Sequence, residues 1–198
     1  MSPRPYRMQQ RLEGMDATRA KIIASARRAL TSGDNFALDA IARDAGVARL
    51  TIYDRFGTRE ALLEAVFDDL GDTGGLSRLP EAFSDPDPVV ALERFVTLFC
   101  AFYSTHRVTL RRLNALTVLG RGASGHSDRN ARRLRGLGVL LKRIADAGHV
   151  GADAPEVVHT AHVLTGFGFV DEFTGPDQDP IGAAPQIVAL VKTVAHLD

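Results

Sequence analysis

The sequence predicts an all-α protein of about nine helices in two domains, and three observations lead there. Apolar residues recur at helical spacing through most of the chain. No stretch alternates with period two, and no Asn-Gly hairpin signal occurs, so nothing asks for a strand. Residues 71–87 are rich in Gly, Pro and Asp and separate a short N-terminal region from a longer remainder. With 198 residues and 45% hydrophobic content, the chain can bury a real core.

The first 14 residues are polar, carry Pro3, Pro5, Arg4, Arg7 and Arg11, and read as a flexible arm. Asp16 is placed to cap a first helix through Leu30, with Ile22, Ile23, Ala26, Ala29 and Leu30 inward and Gly33 as its end. In the next helix Leu38, Ile41, Ala42 and Ala45 fall at i, i+3, i+4 and i+7. The turn Gly46-Val47-Ala48 follows, with Gly46 suited to a left-handed backbone. In the third helix Ile52 and Phe56 lie one turn apart and face inward, which turns Arg49, Leu50, Tyr53 and Asp54 elsewhere. Two helices across a tight glycine turn make a helix-turn-helix, whose second helix is shaped for a DNA major groove. Thr58 is placed to cap a fourth helix with Leu62, Leu63, Val66, Phe67 and Leu70 on one face.

Five helices are expected beyond residue 87. Asp87 caps and Pro88 starts one to about His106, apolar on most sides and therefore central. The second spans about 107–119. The third spans about 127–147, with Leu134, Leu137, Leu141 and Ile144 inside and Arg129, Arg132 and Arg133 outside. The fourth runs from Pro155 to about Phe173, and the fifth covers about 183–196.

Formal net charge is zero, but unevenly distributed. Residues 1–60 hold 11 basic against 7 acidic side chains, a net of +4; the other 138 hold 13 against 17, a net of −4. Contact with phosphate is thus favoured through the first part. No apolar run reaches the length of a membrane span, and the N-terminus has no apolar signal core. The single cysteine excludes an internal disulfide and fits a reducing cytoplasm.

Other chemistry finds little support. Cys100 lies in an apolar run without the positive charge that would activate a thiol. Glu156, His159 and His162 recur every three residues, a spacing that drifts around a helix and matches neither HExxH nor CxxC. No phosphate loop, nucleophile elbow or paired catalytic carboxylate occurs, so neither catalytic residue, metal nor cofactor is expected.

Ile41-Ala42, Ala45-Gly46-Val47, Thr51-Ile52-Tyr53, Phe56 and Arg59-Glu60-Ala61-Leu62 together resemble the TetR (tetracycline-repressor) family of bacterial transcription regulators. The resemblance covers residues 17–67, about a quarter of the chain. It implies a DNA-binding domain over 1–60 and a helical regulatory and dimerisation domain over 61–198. By the same resemblance Thr51 and Tyr53 contact phosphate, and Arg59 stands where the family usually has Lys. A hydroxyl, a phenol and a guanidinium near a helix start are phosphate-seeking on chemical grounds too. Leu50 and Asp54 face away from the core, where they can meet a thymine methyl and a cytosine N4; Arg49 completes the candidate DNA-facing set. The alternative for Leu50 is packing on a neighbour, and for Asp54 pairing with Arg49 or Arg55. Departures from the family pattern are Ala37 and Ala48 at the two capping positions, Arg55 for His, and the acidic Asp54.

Such a regulator is expected in the cytoplasm, bound to palindromic operator DNA as a homodimer and released by a small, largely apolar ligand. Phe95, Phe99, Phe102 and Tyr103 on the central helix supply aromatic walls, and Phe99, Tyr103, Asn114, Thr117, His162 and Phe167 are the candidate pocket lining. The dimer is expected through the last two helices, by Val158, Ala161, Thr165, Gly168 and Val170 on one and Ile187, Val188, Val191 and Val194 on the other. Alternative readings are a constitutive DNA-binding regulator, and an enzyme with a hydrophobic cavity, for which no reactive constellation is found.

Overall fold

The computed structural model describes residues 4–32, 36–119 and 124–197, and their side chains except at 4–13, 117–119 and 124–128. All regular structure among these residues is helical: α1 (Arg4–Ser32), α2 (Leu38–Ala45), α3 (Arg49–Phe56), α4 (Arg59–Thr73), a 3-10 turn (Leu76–Arg78), α5 (Leu79–Phe83), α6 (Pro88–Leu119), α7 (Ser124–Asp146), α8 (Pro155–Leu164), α9 (Phe167–Thr174) and α10 (Ala184–Val194). The chain divides into two units, residues 1–69 with 111–122, and residues 70–110 with 123–198.

In the first unit, Ile22, Ile23, Ala26 and Leu30 of α1 are buried with Leu38, Ile41 and Ala42 of α2, Ile52 of α3 and Leu62, Leu63 and Val66 of α4. These are the apolar positions that helical spacing selects. Arg28 on α1 donates to Asp44 on α2 from Nη2 at 2.6 Å, and Arg27 pairs with Asp69 at 3.1 Å. Gly46 ends α2 at φ 67°, the left-handed cap read from the sequence. Thr58 Oγ1 accepts the Ala61 N–H at 3.0 Å and so caps the start of α4.

Two expectations for this unit change. Helical structure starts at Arg4, so the segment read as an arm forms the first turns of α1, and Asp16 lies inside that helix instead of capping it. Gly33 lies outside the described residues. The unit also runs past residue 60 to residue 69 and takes in 111–122. Arg112 explains part of that extension, because its Nη1 donates to the carbonyls of Leu30 at 2.5 Å and Thr31 at 2.6 Å at the end of α1.

The second unit packs around Phe95, Val96 and Phe102 of α6, Leu137, Leu140, Leu141 and Ile144 of α7, Ala161 of α8, Val170 of α9, and Ile187 and Val191 of α10. Asp87 Oδ1 accepts the Val89 N–H at 2.8 Å and caps α6 as expected. The predicted boundary between 106 and 107 is a kink within one helix, at His106 (φ −119°, ψ 16°). The region expected as loop, 71–87, contains the 3-10 turn and α5.

The helix expected from Pro155 to Phe173 breaks at Thr165 and Gly166, where Gly166 is extended (φ −78°, ψ 147°). Two distant donors explain the break. Arg133 Nη1 donates to the His162 carbonyl at 2.6 Å, and the Tyr103 hydroxyl donates to the Thr165 carbonyl at 3.0 Å. A continuous helix would give those carbonyls to backbone N–H groups four residues on.

Against expectation, α6 over Pro88–Leu116 is long and apolar enough to cross a membrane by length and composition. Leu92, Phe95, Val96 and Phe102 are each buried in the second unit, which accounts for that apolarity as a core helix does.

Candidate nucleic-acid interface and effector site

The DNA-facing candidates come together on α3 and the start of α4. Ile52 is 1% exposed and anchors α3 inward, whereas Leu50 is 68% exposed and Tyr53 39%. Asp54 is exposed, and Thr51 and Arg59 are half-buried. Phe56 is half-buried beneath the Arg19 guanidinium, 5.3 Å from the ring centroid. Arg49 Nη1 pairs with Asp39 at 2.9 Å and its Nη2 donates to the Tyr53 hydroxyl at 3.2 Å. The guanidinium also lies 5.7 Å from the Tyr53 ring centroid. The Tyr53 hydrogen bond, with the Asp39 carboxylate behind it, holds the Arg49 charge more firmly. Arg59 stacks over Phe36, 5.2 Å from its centroid.

Both α2 and α3 start at alanines, Ala37 and Ala48, in extended conformation and without a side-chain cap. Their first-turn N–H groups, except that of Thr51, which donates to the Ala48 carbonyl at 2.9 Å, therefore keep their hydrogen-bonding capacity at the positive end of the helix dipole. A phosphate oxygen is the acceptor such an end suits.

The pocket candidates divide. Phe99, Tyr103, His162 and Phe167 belong to the second unit, while Asn114 belongs to the first. Thr117 lies outside the residues whose side chains are described. An aromatic row runs from Phe95 to Phe99 (4.9 Å between centroids), Tyr103 (5.9 Å) and Phe167 (5.4 Å).

At the Tyr103 end stands a residue that the sequence reading placed on the outer face of its helix, Arg133. It is only 9% exposed. Its guanidinium donates to the His162 carbonyl at 2.6 Å and to Thr165 Oγ1 at 2.7 Å, and Nη2 lies 3.3 Å from His162 Nε2. A signal for this burial was present, since position 133 aligns at helical spacing with the buried Leu137, Leu140 and Ile144. Burial, with the charges of Arg133 and His159 acting the same way, pushes His162 down to about 4. Burial pushes the Tyr103 phenol up to about 12, against the pull of Arg133. The Cys100 thiol, also buried, is pushed up to about 12 and is unreactive in that state. His162 turns to Arg133, while Glu156 and His159 are exposed.

Of the expected dimer residues, Ala161, Thr165, Val170, Ile187 and Val191 are buried within the unit itself. The apolar side chains left half-buried or exposed on α8 and α10 are Val158, Val163, Leu164, Val188, Leu190 and Val194.

Residues 22–66 match the bacterial regulatory proteins of the tetR family. No curated protein matches the chain significantly. Among solved structures, the chain is similar to native NalD of Pseudomonas aeruginosa, the secondary repressor of the MexAB-OprM multidrug efflux pump. That alignment covers 91% of this chain and 96% of the other at 18% identity, with a TM-score of 0.63. The transcriptional regulator FadR from Bacillus subtilis, solved with stearoyl-CoA, aligns over 87% and 96% at 19% identity with a TM-score of 0.60. The TetR regulator SCO0520 from Streptomyces coelicolor aligns over 90% and 97% at 23% identity with a TM-score of 0.52. At these identities the likeness is one of fold.

Proposed function

We propose, given that the chain is a TetR-family regulatory protein by its N-terminal domain, that it is a ligand-responsive repressor with no enzymatic activity. It binds palindromic operator DNA in the cytoplasm as a homodimer through α8 and α10, and a small, largely apolar effector releases it. The observation that carries this reading is α3, which buries Ile52 and turns Leu50, Tyr53 and Asp54 outward between two helix starts without side-chain caps. Thr51, Tyr53 and Arg59 take phosphate, Leu50 a thymine methyl and Asp54 a cytosine N4. Arg49, leaning on Asp39 and Tyr53, is pre-set beside the phenol.

The aromatic row from Phe95 to Phe167 favours an effector site within the second unit. Effector binding favours an arrangement in which α4 moves and the two recognition helices no longer match half-sites about 34–36 Å apart. Because coupling is reciprocal, operator DNA weakens effector binding by the factor by which effector weakens DNA binding. Electrophoretic titration on the DNA upstream of its own gene, against a scrambled duplex, tests the reading. A saturable, salt-sensitive preference for the upstream DNA is expected; equal affinity for both duplexes overturns it.

A further inference from the structure

The second unit buries a positive charge that a purely apolar effector would leave unused. Among the described residues Arg133 is its one buried arginine; Arg107 and Arg143 are half-buried, and Arg143 donates to the carbonyls of Phe83 and Asp85. Arg107 Nε reaches the Asp171 carboxylate at 2.6 Å, while its Nη2 donates to Thr174 Oγ1 at 2.8 Å and to the Gly175 carbonyl. Arg133 has only neutral partners, the His162 carbonyl, Thr165 Oγ1 and the His162 ring, and no carboxylate among the described residues pairs with it. A buried guanidinium without a counter-charge is costly, and ending α8 needs only a neutral donor.

Neighbouring groups add donors and no negative charge. For Arg133 Nη2 to donate to His162 Nε2, the ring carries its proton on Nδ1. That Nδ1 is buried and has no hydrogen-bond partner. The Tyr103 hydroxyl is committed to the Thr165 carbonyl. Arg133 thus places a cation at the end of the row Phe99–Tyr103–Phe167, while the His162 Nδ1–H lies on the ring edge away from it. A polar cationic end joined to an aromatic wall is complementary to an amphiphile with an anionic head.

We propose that Arg133 binds the carboxylate of an amphiphilic monocarboxylic acid, whose hydrocarbon part lies against Phe99, Tyr103 and Phe167. The proposal rests on the reading of the second unit as an effector site, and it narrows the effector from apolar to anionic. Both Nη1 hydrogens of Arg133 are committed, so Nε and the remaining Nη2 hydrogen, one edge of the planar guanidinium, are left to take the carboxylate.

The test is calorimetric titration of the full chain with decanoate and with decanol, two probes of equal chain length, each below its aggregation concentration. Decanoate is expected to bind at least about tenfold more tightly than decanol, since only the carboxylate makes charge-assisted hydrogen bonds. Arg133→Gln, checked for native helical content by circular dichroism, should bring the two affinities together. Arg133→Lys, which keeps the charge and loses the fork, should retain a reduced preference for decanoate. Equal binding of both probes to the unmodified chain overturns the anionic head and leaves the effector site standing. No binding of either probe overturns both. Should Arg133→Gln fail to fold, the two-probe comparison on the unmodified chain and on Arg133→Lys decides alone.

Discussion

Arg59 meets Phe36 through the face of its guanidinium, which leaves the in-plane donors directed for other partners. Arg59→Ala and Tyr53→Phe are therefore expected to weaken binding to every DNA sequence alike. Arg59→Ala should also lower the salt slope by about 1, the share of one neutralised phosphate, whereas Tyr53→Phe, which removes no charge, should leave the slope unchanged. Affinity and slope both unchanged in Arg59→Ala would remove that side chain from the interface. His162 offers a second test at this scale. The folded chain keeps it neutral down to about 4, whereas an unfolded imidazole titrates near the ordinary value of 6.5. Between those values the unfolded state binds the extra proton, so stability is full above about pH 6.5 and falls as the pH is lowered toward 4. Thermal unfolding across that window should show the fall, and His162→Gln should flatten it; parallel curves for the two proteins would count against it. Caps formed by neighbours in sequence, such as Thr58 and Asp87, were legible from the residues alone. The burial of Arg133 is masked in the sequence because the exposed Arg132 and Arg135 flank it and a run of charge has the signature of a solvated face.

Helix interiors followed from spacing, and helix ends did so only where the stop is local. Gly46 stops α2 by its own backbone, and the sequence announces it. The break after α8 is made by Arg133 and Tyr103, which lie 29 and 62 positions from the carbonyls they claim, so no window along α8 contains it. The short α5 sits in a stretch whose Gly, Pro and Asp content reads as loop. Two substitutions test helix ends directly. Ala48 already has the extended conformation of an N-cap (φ −72°, ψ 148°), so Ala48→Ser should stabilise the chain by about 1 kcal/mol in chemical denaturation. No gain would mean that the serine hydroxyl does not reach the first-turn N–H groups. At Gly74 a Cβ would stand 2.6 Å from Phe102 Cδ2 and 2.7 Å from His106 Nε2, atoms of two buried rings. Gly74→Ala should therefore cost about 1–3 kcal/mol by overpacking, read as a lower urea midpoint.

For the whole molecule, α6 contributes its last part to the first unit and the rest to the second, a division that no break in composition along the chain marks. Assembly is the property of the intact chain most open to measurement. Val158, Val163, Val188, Leu190 and Val194 leave apolar surface on α8 and α10 after the unit's own core is complete. Light scattering at micromolar concentration should give twice the chain mass, and Val163→Glu with Val194→Glu should lower it toward one copy. A monomer in the unmodified chain would refute the dimer. Arg112 carries a different consequence. It closes the C-terminal end of α1 from 82 positions away, at the Leu30 carbonyl. A recombination between related chains that exchanges only the first 69 residues would transplant α3 and leave the C-terminal brace of α1 behind. Chimeras cut there inherit α3 without the residue that secures α1, whereas an exchange that carries 111–119 as well moves α1–α3 together with the brace. The heritable module is thus discontinuous in the gene, and crossing over at a single point cannot move it without residues 70–110 of the other unit.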